Sequence, residues 1–297
     1  MRLLIADKLH PRAIEELRTL PLEVVYEPEL TRESLETRLQ GVGILVVRST
    51  EVTAAAIENT KQLNLIVRAG AMFNTIDVRA ASKRGIYVAN CPGKNAAAVA
   101  ELVIGMMVAL DRRIPDAVAS LRAGKWERQE YGKSEGLYGR TLGIAGMGAI
   151  GREVAHRARS LGLNVIAWSR SLTPARAADL GVSWVASIDE LASKSHILSL
   201  HLALSEKTRR IVNRRVLGLL PERAMLINTA RNDLVDTEAL VEQAEKRGLR
   251  VALDVFPDEP RGSKVFGTPD LFRSYPAGGL VYGTPHIAAA TDQAQLA

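Results

Sequence analysis

Residues 141–162, TLGIAGMGAIGREVAHRARSLG, carry the reading that decides the fold. Leu142, Ile144 and Ala145 form a short apolar run suited to a buried parallel strand. Gly146, Gly148 and Gly151 follow at G-x-G-x-x-G spacing, and Val154, Ala155, Ala158 and Leu161 then recur at helical intervals. Each glycine has its own reason. The first admits a tight turn, the second lets backbone approach a pyrophosphate, and the third lets helix pack closely on strand. Unpaired backbone N–H groups at the helix start then face phosphate. A glycine triplet alone is a weak sign. Set between a strand and a helix, with a second strand NVIAWSR (164–170) after it, this one points to dinucleotide binding rather than to a structural turn.

The alternation continues on both sides. From Arg140 onward the strand-like segments are TLGIAG, NVIAWSR, SHILSLHL, AMLINTA, RVALDVF and LVYGTPH, with helices starting near Gly148, Pro174, Ile188, Thr208 and Thr237. Asp236-Thr237-Glu238 before an apolar run is a helix start signal. Six strands with crossover helices make a doubly wound nucleotide domain. The first hundred residues read RLLIAD, LEVVYE, GILVVRS, LNLIVRAG and GIYVAN as strands, with helices between them, which is a second open parallel sheet. The fold class is therefore α/β, with two doubly wound parallel-sheet domains. Ala96–Leu110 reads as a long apolar helix whose Met106, Met107 and Leu110 have two readings, a seam between domains or subunits, or a buried core. Pro115 interrupts the pattern, and Ala117–Lys125 reads as a further helix stopped by Gly124.

Composition bounds the partners. At 297 residues two domains are the natural prior, and 47% hydrophobic with 24% charged residues is ordinary for a globular protein. The net charge of +6 comes without a Lys/Arg run interleaved with aromatics, which are only 4%, so a solvated basic surface is preferred to nucleic-acid binding. A weaker attraction for anionic substrates and cofactors remains open. Cys91 is the one cysteine, which excludes an intrachain disulfide and fits a reducing cytoplasm; it takes no catalytic role. The N-terminus lacks a signal-peptide core, and the most apolar stretch carries Glu101 and is too short for a membrane span.

Where the dinucleotide fold places an acidic ribose-binding residue, at the end of the second strand, this chain has Ser169, followed by Arg170. A carboxylate repels a 2′-phosphate, whereas Ser and Arg bind it, so the local chemistry favours NADP over NAD. The alternative is that Arg170 stacks on adenine or sits in solvent. Three polar residues end late strands or their loops: Arg231, Glu259 and His286. Ligands of open α/β sheets bind beyond the carboxyl ends of strands, so all three are placed to face one crevice. Singly they read as a surface Arg, a loop Glu and a capping His. Together they match hydride transfer at a 2-hydroxy acid: Arg binds the carboxylate and polarises the carbonyl, His exchanges the hydroxyl proton, and Glu favours the protonated His.

The segments LVVRSTEVT (45–53), IVRAGAMFNTIDVRAASKRGIYVANCPGKN (66–95), GKWERQEY (124–131), GRTLGIAGMGAIGREVA (139–155), INTAR (227–231), ALDVFPDEP (252–260) and TPHIAAAT (284–291) give the chain a resemblance, over nearly its full length, to the D-isomer-specific 2-hydroxyacid dehydrogenases. Within that family it most resembles the phosphoglycerate dehydrogenases. The resemblance implies that Arg231, Glu259 and His286 are the catalytic set. It also implies cofactor contacts at Gly146, Gly148, Ala149, Ile150, Gly151, Ser169, Arg170, His201, Thr229, Ala230 and Asp254. It places substrate contacts at Arg48, Arg68, Ala71, Met72 and Arg128, the three arginines around a phosphate. For these arginines the alternative is pairing with nearby carboxylates. A Rossmann domain, 97–285, is expected to be inserted in a flavodoxin-like substrate domain, 1–96 with 286–297, in a cytoplasmic homodimer without nucleic-acid or membrane partners and without metal.

The implied reaction moves hydride between NAD(P) and C2 of a D-2-hydroxy acid, with D-3-phosphoglycerate and 3-phosphohydroxypyruvate foremost. A glyoxylate or hydroxypyruvate reductase is the alternative, and a dinucleotide-sensing, corepressor-like protein a more distant one. The chain departs from the pattern in several places. Met72 and Phe73 stand where the loop after Arg68 usually has a glycine. Asn232 replaces a glycine and is expected to take its left-handed turn. Ala203 replaces a proline, Ala288 and Ala289 replace glycine-rich positions, and Gln129 and Glu130 replace basic residues. The chain ends at Ala297, where the resemblance leads one to expect a returning helix, and control through a C-terminal regulatory domain is not expected.

Overall fold

The structure, a computed structural model, describes residues 1–257, 259 and 281–297. It forms two compact units, 1–95 with 290–297, and 96–289, the second inserted in the first. In the smaller unit, strands β1 (Arg2–Ile5), β2 (Glu23–Tyr26), β3 (Val42–Val47), β4 (Leu65–Arg68) and β5 (Tyr87–Asn90) form a parallel sheet in the order β2-β1-β3-β4-β5. That is the flavodoxin-like order. Helices α1 (Pro11–Arg18), α2 (Arg32–Arg38), α3 (Ala54–Glu58) and α4 (Val78–Lys83) connect the strands. Thr31, Thr53 and Asp77 cap the last three with side-chain oxygens, each satisfying a backbone donor that the helix start leaves unpaired.

The larger unit opens with α5 (Ala96–Arg112), α6 (Ile114–Arg122) and α7 (Arg128–Tyr131). There follow β6 (Thr141–Ala145), α8 (Ala149–Ser160), β7 (Asn164–Trp168), α9 (Pro174–Asp179), β8 (Ser183–Trp184), α10 (Ile188–Lys194), β9 (Ile197–Leu200), α11 (Arg214–Leu219), β10 (Met225–Asn228), α12 (Thr237–Arg247), β11 (Arg250–Leu253) and β12 (Val281–Gly283). Helix α13 (Asp292–Leu296) returns to the smaller unit. The seven-stranded parallel sheet runs β12-β11-β10-β9-β6-β7-β8, with β6 at the point where strand order reverses. Both faces are covered. Leu142, Ile144, Ile197, Met225, Ile227 and Ala252 pack on one side, and Ala145, Leu198, Leu200, Leu226, Val251 and Leu253 on the other. Period-two alternation thus feeds two cores, and the strand sequences read as near-continuous apolar runs.

Four expectations are corrected. The sheet has a seventh strand, β8, whose two residues are too few to show a pattern. No helix starts at Thr208. Its hydroxyl bonds the Ala203 carbonyl and takes the Ser205 N–H, a local turn that competes with helix, and α11 begins only after the Asn213 cap. The helical pattern does break just before Pro115, at Arg113 with φ +52°, but the next helix, α6, opens at Ile114 rather than Ala117 and holds Pro115 in its first turn, where its missing N–H is harmless. Asn232 lies in a single 3₁₀ turn (Asn232–Leu234) rather than at positive φ. The open question about α5 resolves toward core: Met106, Met107 and Leu110 are buried with Ile144, Val154 and Ala155. Among the described residues no helix is long and apolar enough to cross a membrane.

At the amino edge of the larger sheet charges gather. Arg140 Nη1 lies 3.6 Å from Asp111 and 3.5 Å from Glu135, while Arg223 and Arg250 approach Glu135 at 3.5 and 3.7 Å. Asp111 also accepts the Gly136 N–H at 3.1 Å. Burial, with Arg140 adding repulsion, draws the Arg250 guanidinium below its usual pKa.

Gly143 in β6 has no room for a side chain, since an added Cβ collides with Ser195 Oγ and presses on Leu191. Gly143→Ala is expected to destabilise by about 1–3 kcal/mol, seen as a lower melting temperature. Gly143→Ala combined with Ser195→Gly is expected to recover most of the loss. An unchanged melting temperature in the single variant contradicts this packing.

Candidate active site

Parallel pairing in register makes the strand ends level. Ala145 is the partner of Trp168 and Leu200, Leu200 of Asn228, Asn228 of Leu253, and Leu253 of Gly283. The next residue of each strand therefore lies on one rim: Gly146, Ser169, His201, Thr229, Asp254 and Thr284. All of these but Thr284 are positions expected to touch a cofactor, and the register draws them together.

The three glycines divide their work as the spacing implies. Gly146 has φ +105°, and an added Cβ there collides with the His201 carbonyl. One on Gly151 collides with the Gly146 carbonyl, while one on Gly148 meets nothing within 4 Å. Helix α8 starts at Ala149 and Ile150 with no side-chain cap, whereas Thr173, Ser187 and Asn213 cap α9, α10 and α11. Its first N–H groups stay available to an anion, in the open space beside Gly148. Two enclosed polar atoms on the rim also lack a protein partner, Thr229 Oγ1 and His201 Nδ1. Uncapped donors, open space and orphaned polar atoms fit a bound dinucleotide. Ser169 is half-buried beside this cradle, Arg170 is exposed, and no carboxylate stands at that strand end.

His201 Nε2 pairs with Ser199 Oγ at 2.9 Å, and burial pushes the imidazole down to about pKa 4. The ring is thus neutral at physiological pH. The following turn is organised by Asn228, a residue the sequence reading overlooked. Its Oδ1 accepts the Ala230 N–H at 3.0 Å, and its Nδ2 donates to the Arg231 carbonyl at 2.9 Å. This bracing explains why Asn232 needs no left-handed φ. A lone polar residue closing the apolar strand MLIN was the available signal. Arg231 is half-buried and bonds the Ala230 carbonyl at 2.5 Å through one Nη, leaving most of its donor fork unused by that bond.

Glu259 and His286 are brought together, Nδ1 to Oε2 at 2.5 Å, and the other Glu259 oxygen accepts the Phe256 N–H at 2.8 Å. Because an ionised carboxylate only accepts, Nδ1 carries the proton in this pair and Nε2 is the ring nitrogen left without one. His286 has φ +52°, a conformation costing a non-glycine residue about 1–3 kcal/mol. Asp254, expected at the cofactor, is fully buried and accepts from Thr284 Oγ1 at 2.5 Å, Ile287 N at 2.8 Å and Ala288 N at 2.9 Å. These bonds keep residues 286–289 with the larger unit.

In the smaller unit Arg48 follows β3, where Asp7 accepts the backbone N–H groups of Arg48, Ser49 and Thr50. Arg68 ends β4 with its guanidinium over Gly70, where an added Cβ would strike it. The Gly70 and Ala71 carbonyls are taken by Cys91 N and Asn90 Nδ2, and Met72 and Phe73 point outward, 40% and 55% exposed. In the larger unit Arg128 is exposed on α7. Its neighbour Glu130 is neutralised by Arg113 at 2.5 Å and Lys133 at 2.9 Å. Among the described residues neither Arg48 nor Arg128 is ion-paired with a carboxylate.

Two predictions follow from this geometry. Gly148→Ala is expected to leave the melting temperature within about 1 °C, since its Cβ has space, while weakening dinucleotide binding at least about tenfold, about 1.4 kcal/mol. Calorimetric titration with NADH and NADPH checks it, and unchanged affinity contradicts the cradle. His201 has a folded pKa below its unfolded value, so the unfolded chain takes up a proton first. Its contribution to stability is full above pH ~6.5 and is lost as pH falls toward about 4, by about 2 kcal/mol, partial solvent contact keeping the cost below that of full enclosure. Melting temperatures across pH 7.5 to 4.5 should fall less steeply in His201→Asn than in the parent.

Comparison with known proteins agrees with this geometry. A family model described as D-isomer specific 2-hydroxyacid dehydrogenase, NAD binding domain, matches residues 104–288. D-3-phosphoglycerate dehydrogenase of Methanocaldococcus jannaschii is 39% identical over 306 aligned residues, covering 100% of this chain and 55% of that protein. Hydroxypyruvate reductase of Thermotoga maritima is 40% identical over 277, covering 92% and 86%. The chain thus spans about half the length of the curated phosphoglycerate dehydrogenases it matches. A solved protein of Thermus thermophilus superposes with a TM-score of 0.85 at 33% identity, covering 99% of this chain and 92% of that one. With a nicotinamide-dinucleotide cradle at the point where strand order reverses and a histidine–glutamate pair beyond the same sheet edge, the chain belongs to the D-isomer specific 2-hydroxyacid dehydrogenase family.

Proposed function

We propose that this protein transfers hydride between a nicotinamide dinucleotide and C2 of a D-2-hydroxy acid, with D-3-phosphoglycerate and 3-phosphohydroxypyruvate as the preferred pair. The observation that carries the reading is the His286–Glu259 pair at 2.5 Å, with Nε2 left to exchange a proton. In the oxidation direction His286 Nε2 accepts the hydroxyl proton, and Glu259 holds the ring orientation and the resulting positive charge. Arg231 binds the substrate carboxylate and stabilises negative charge on the carbonyl oxygen in the reverse direction. The dinucleotide, when bound, supplies the hydride acceptor or donor.

The phosphate is assigned to Arg48, Arg68 and Arg128, guanidinium groups suited to a dianion. Ser169 and Arg170 support NADP as the better cofactor. A second copy of the chain is proposed to cover the apolar stripe of α6, where Ile114, Val118 and Leu121 at helical spacing, with Trp126, are exposed. A hydroxypyruvate or glyoxylate reductase is the second reading, supported by the bulky, exposed Met72 and Phe73.

Initial rates with NADH and NADPH against 3-phosphohydroxypyruvate, hydroxypyruvate and glyoxylate test the proposal. The phosphorylated acid is expected to lead in kcat/KM by at least about tenfold, about 1.4 kcal/mol. Arg48→Ala and Arg68→Ala should each remove that lead and spare the unphosphorylated acids. His286→Ala should cost about 10²–10⁴ in kcat. A lead for an unphosphorylated acid overturns the phosphate assignment, and unchanged turnover in His286→Ala overturns the reaction itself.

A further inference from the structure

We infer that Asn228 and Asp254 form a buried polar brace that sets Arg231 and His286 for reaction, so that both are positioning residues. The inference rests on the proposed roles of Arg231 and His286. Asn228 and Asp254 follow one another across the sheet: Asn228 is paired in register with Leu253, and the Asp254 N–H donates to the Asn228 carbonyl at 3.0 Å. Asn228 is 1% exposed and Asp254 0%. Each then holds one loop. The Asn228 carboxamide takes the Ala230 N–H and gives a hydrogen bond to the Arg231 carbonyl, closing the turn that carries Arg231.

The Asp254 carboxylate works on both sides of His286. It accepts from Thr284, two residues before it, and from Ile287 and Ala288, the two residues after it. The Thr284 N–H adds a further bond, to the Leu253 carbonyl. Among the described residues the groups bonded to the carboxylate are all donors, as its acceptor-only chemistry requires, and they fill three of roughly four lone-pair sites. The residue so bracketed is the one held at φ +52°, a conformation that persists only where surroundings over-determine it. The resemblance places Asp254 at the cofactor. The three bonds it accepts here all come from the histidine loop.

The isosteric exchanges Asp254→Asn and Asn228→Asp, and the milder Thr284→Val, test the brace, with His286→Ala alongside. Each variant is measured for kcat and KM with hydroxypyruvate and with its phosphorylated counterpart, for Kd of NADH and NADPH by titration, and for melting temperature. The expected result is a kcat loss of about 30-fold or more in the two exchanges and about 3- to 10-fold in Thr284→Val, with dinucleotide Kd shifted less than about 3-fold. A Kd weakened in step with kcat in Asp254→Asn makes Asp254 a cofactor contact and overturns the brace, as does kcat retained in both Asp254→Asn and Thr284→Val. Should Asp254→Asn not fold, Thr284→Val, which leaves the carboxylate in place, decides by the same criteria. If His286→Ala retains turnover, the reaction assignment falls. If it is inactive while the other variants are normal, only the brace falls.

Discussion

Ala145, Leu200, Asn228, Leu253 and Gly283 stand level because each is the partner of the next in a parallel ladder. A slip of one residue in any of these pairs sends the side chains to the opposite face, and both faces are filled, so the register is tightly specified. The rim beyond the strand ends inherits its accuracy from that demand. Residues far apart in sequence end up in one row because the hydrophobic alternation upstream of them admits no other alignment. Short-range choices shape that row: a glycine where the chain must turn, a histidine largely shielded from water, a carboxylate bonded by donors.

Several of these choices oppose stability. His286 sits in a left-handed conformation, Thr229 and His201 leave enclosed polar atoms without protein partners, and α8 begins with no side-chain cap. Each feature alone is unfavourable by a modest amount, and together they collect at one edge of one sheet. Helices α2, α4, α10 and α11 are capped by Thr31, Asp77, Ser187 and Asn213, whereas α6 and α7, like α8, have no side-chain cap. A dinucleotide bound on this rim would satisfy both the uncapped helix donors and the two orphaned atoms.

Much of this was legible in the sequence because the deciding signals are local. The glycines act within six residues, and the apolar runs of β6, β9, β10 and β11 announce buried parallel strands wherever they occur. Signals failed where structure is either too short or too long in range. Strand β8 has two residues and no period. The turn around Thr208 is decided by a hydroxyl competing for backbone groups, which residue type alone does not reveal. Asp254 finds its partners 30 to 34 residues downstream, so its loop-holding geometry could not be read from neighbours in sequence. Asn228 was signalled in the sequence only as a lone polar residue closing the apolar run MLIN, and its two loop bonds needed the structure.

At the opposite edge of the same sheet, Arg140, Arg223 and Arg250 converge on Glu135, with Asp111 enclosed beside Arg140. Enclosed charges are screened far less by dissolved ions than exposed ones such as Lys8 and Glu29, whose side chains are 73% and 78% exposed. The strands are therefore cantilevers, clamped at the root where Asp111 and Arg140, 1% and 12% exposed, form a pair that ionic strength loosens little, while Arg223 and Glu135 stay open to solvent. Loops at the free ends can change length, conformation and chemistry without unseating the beams that carry them.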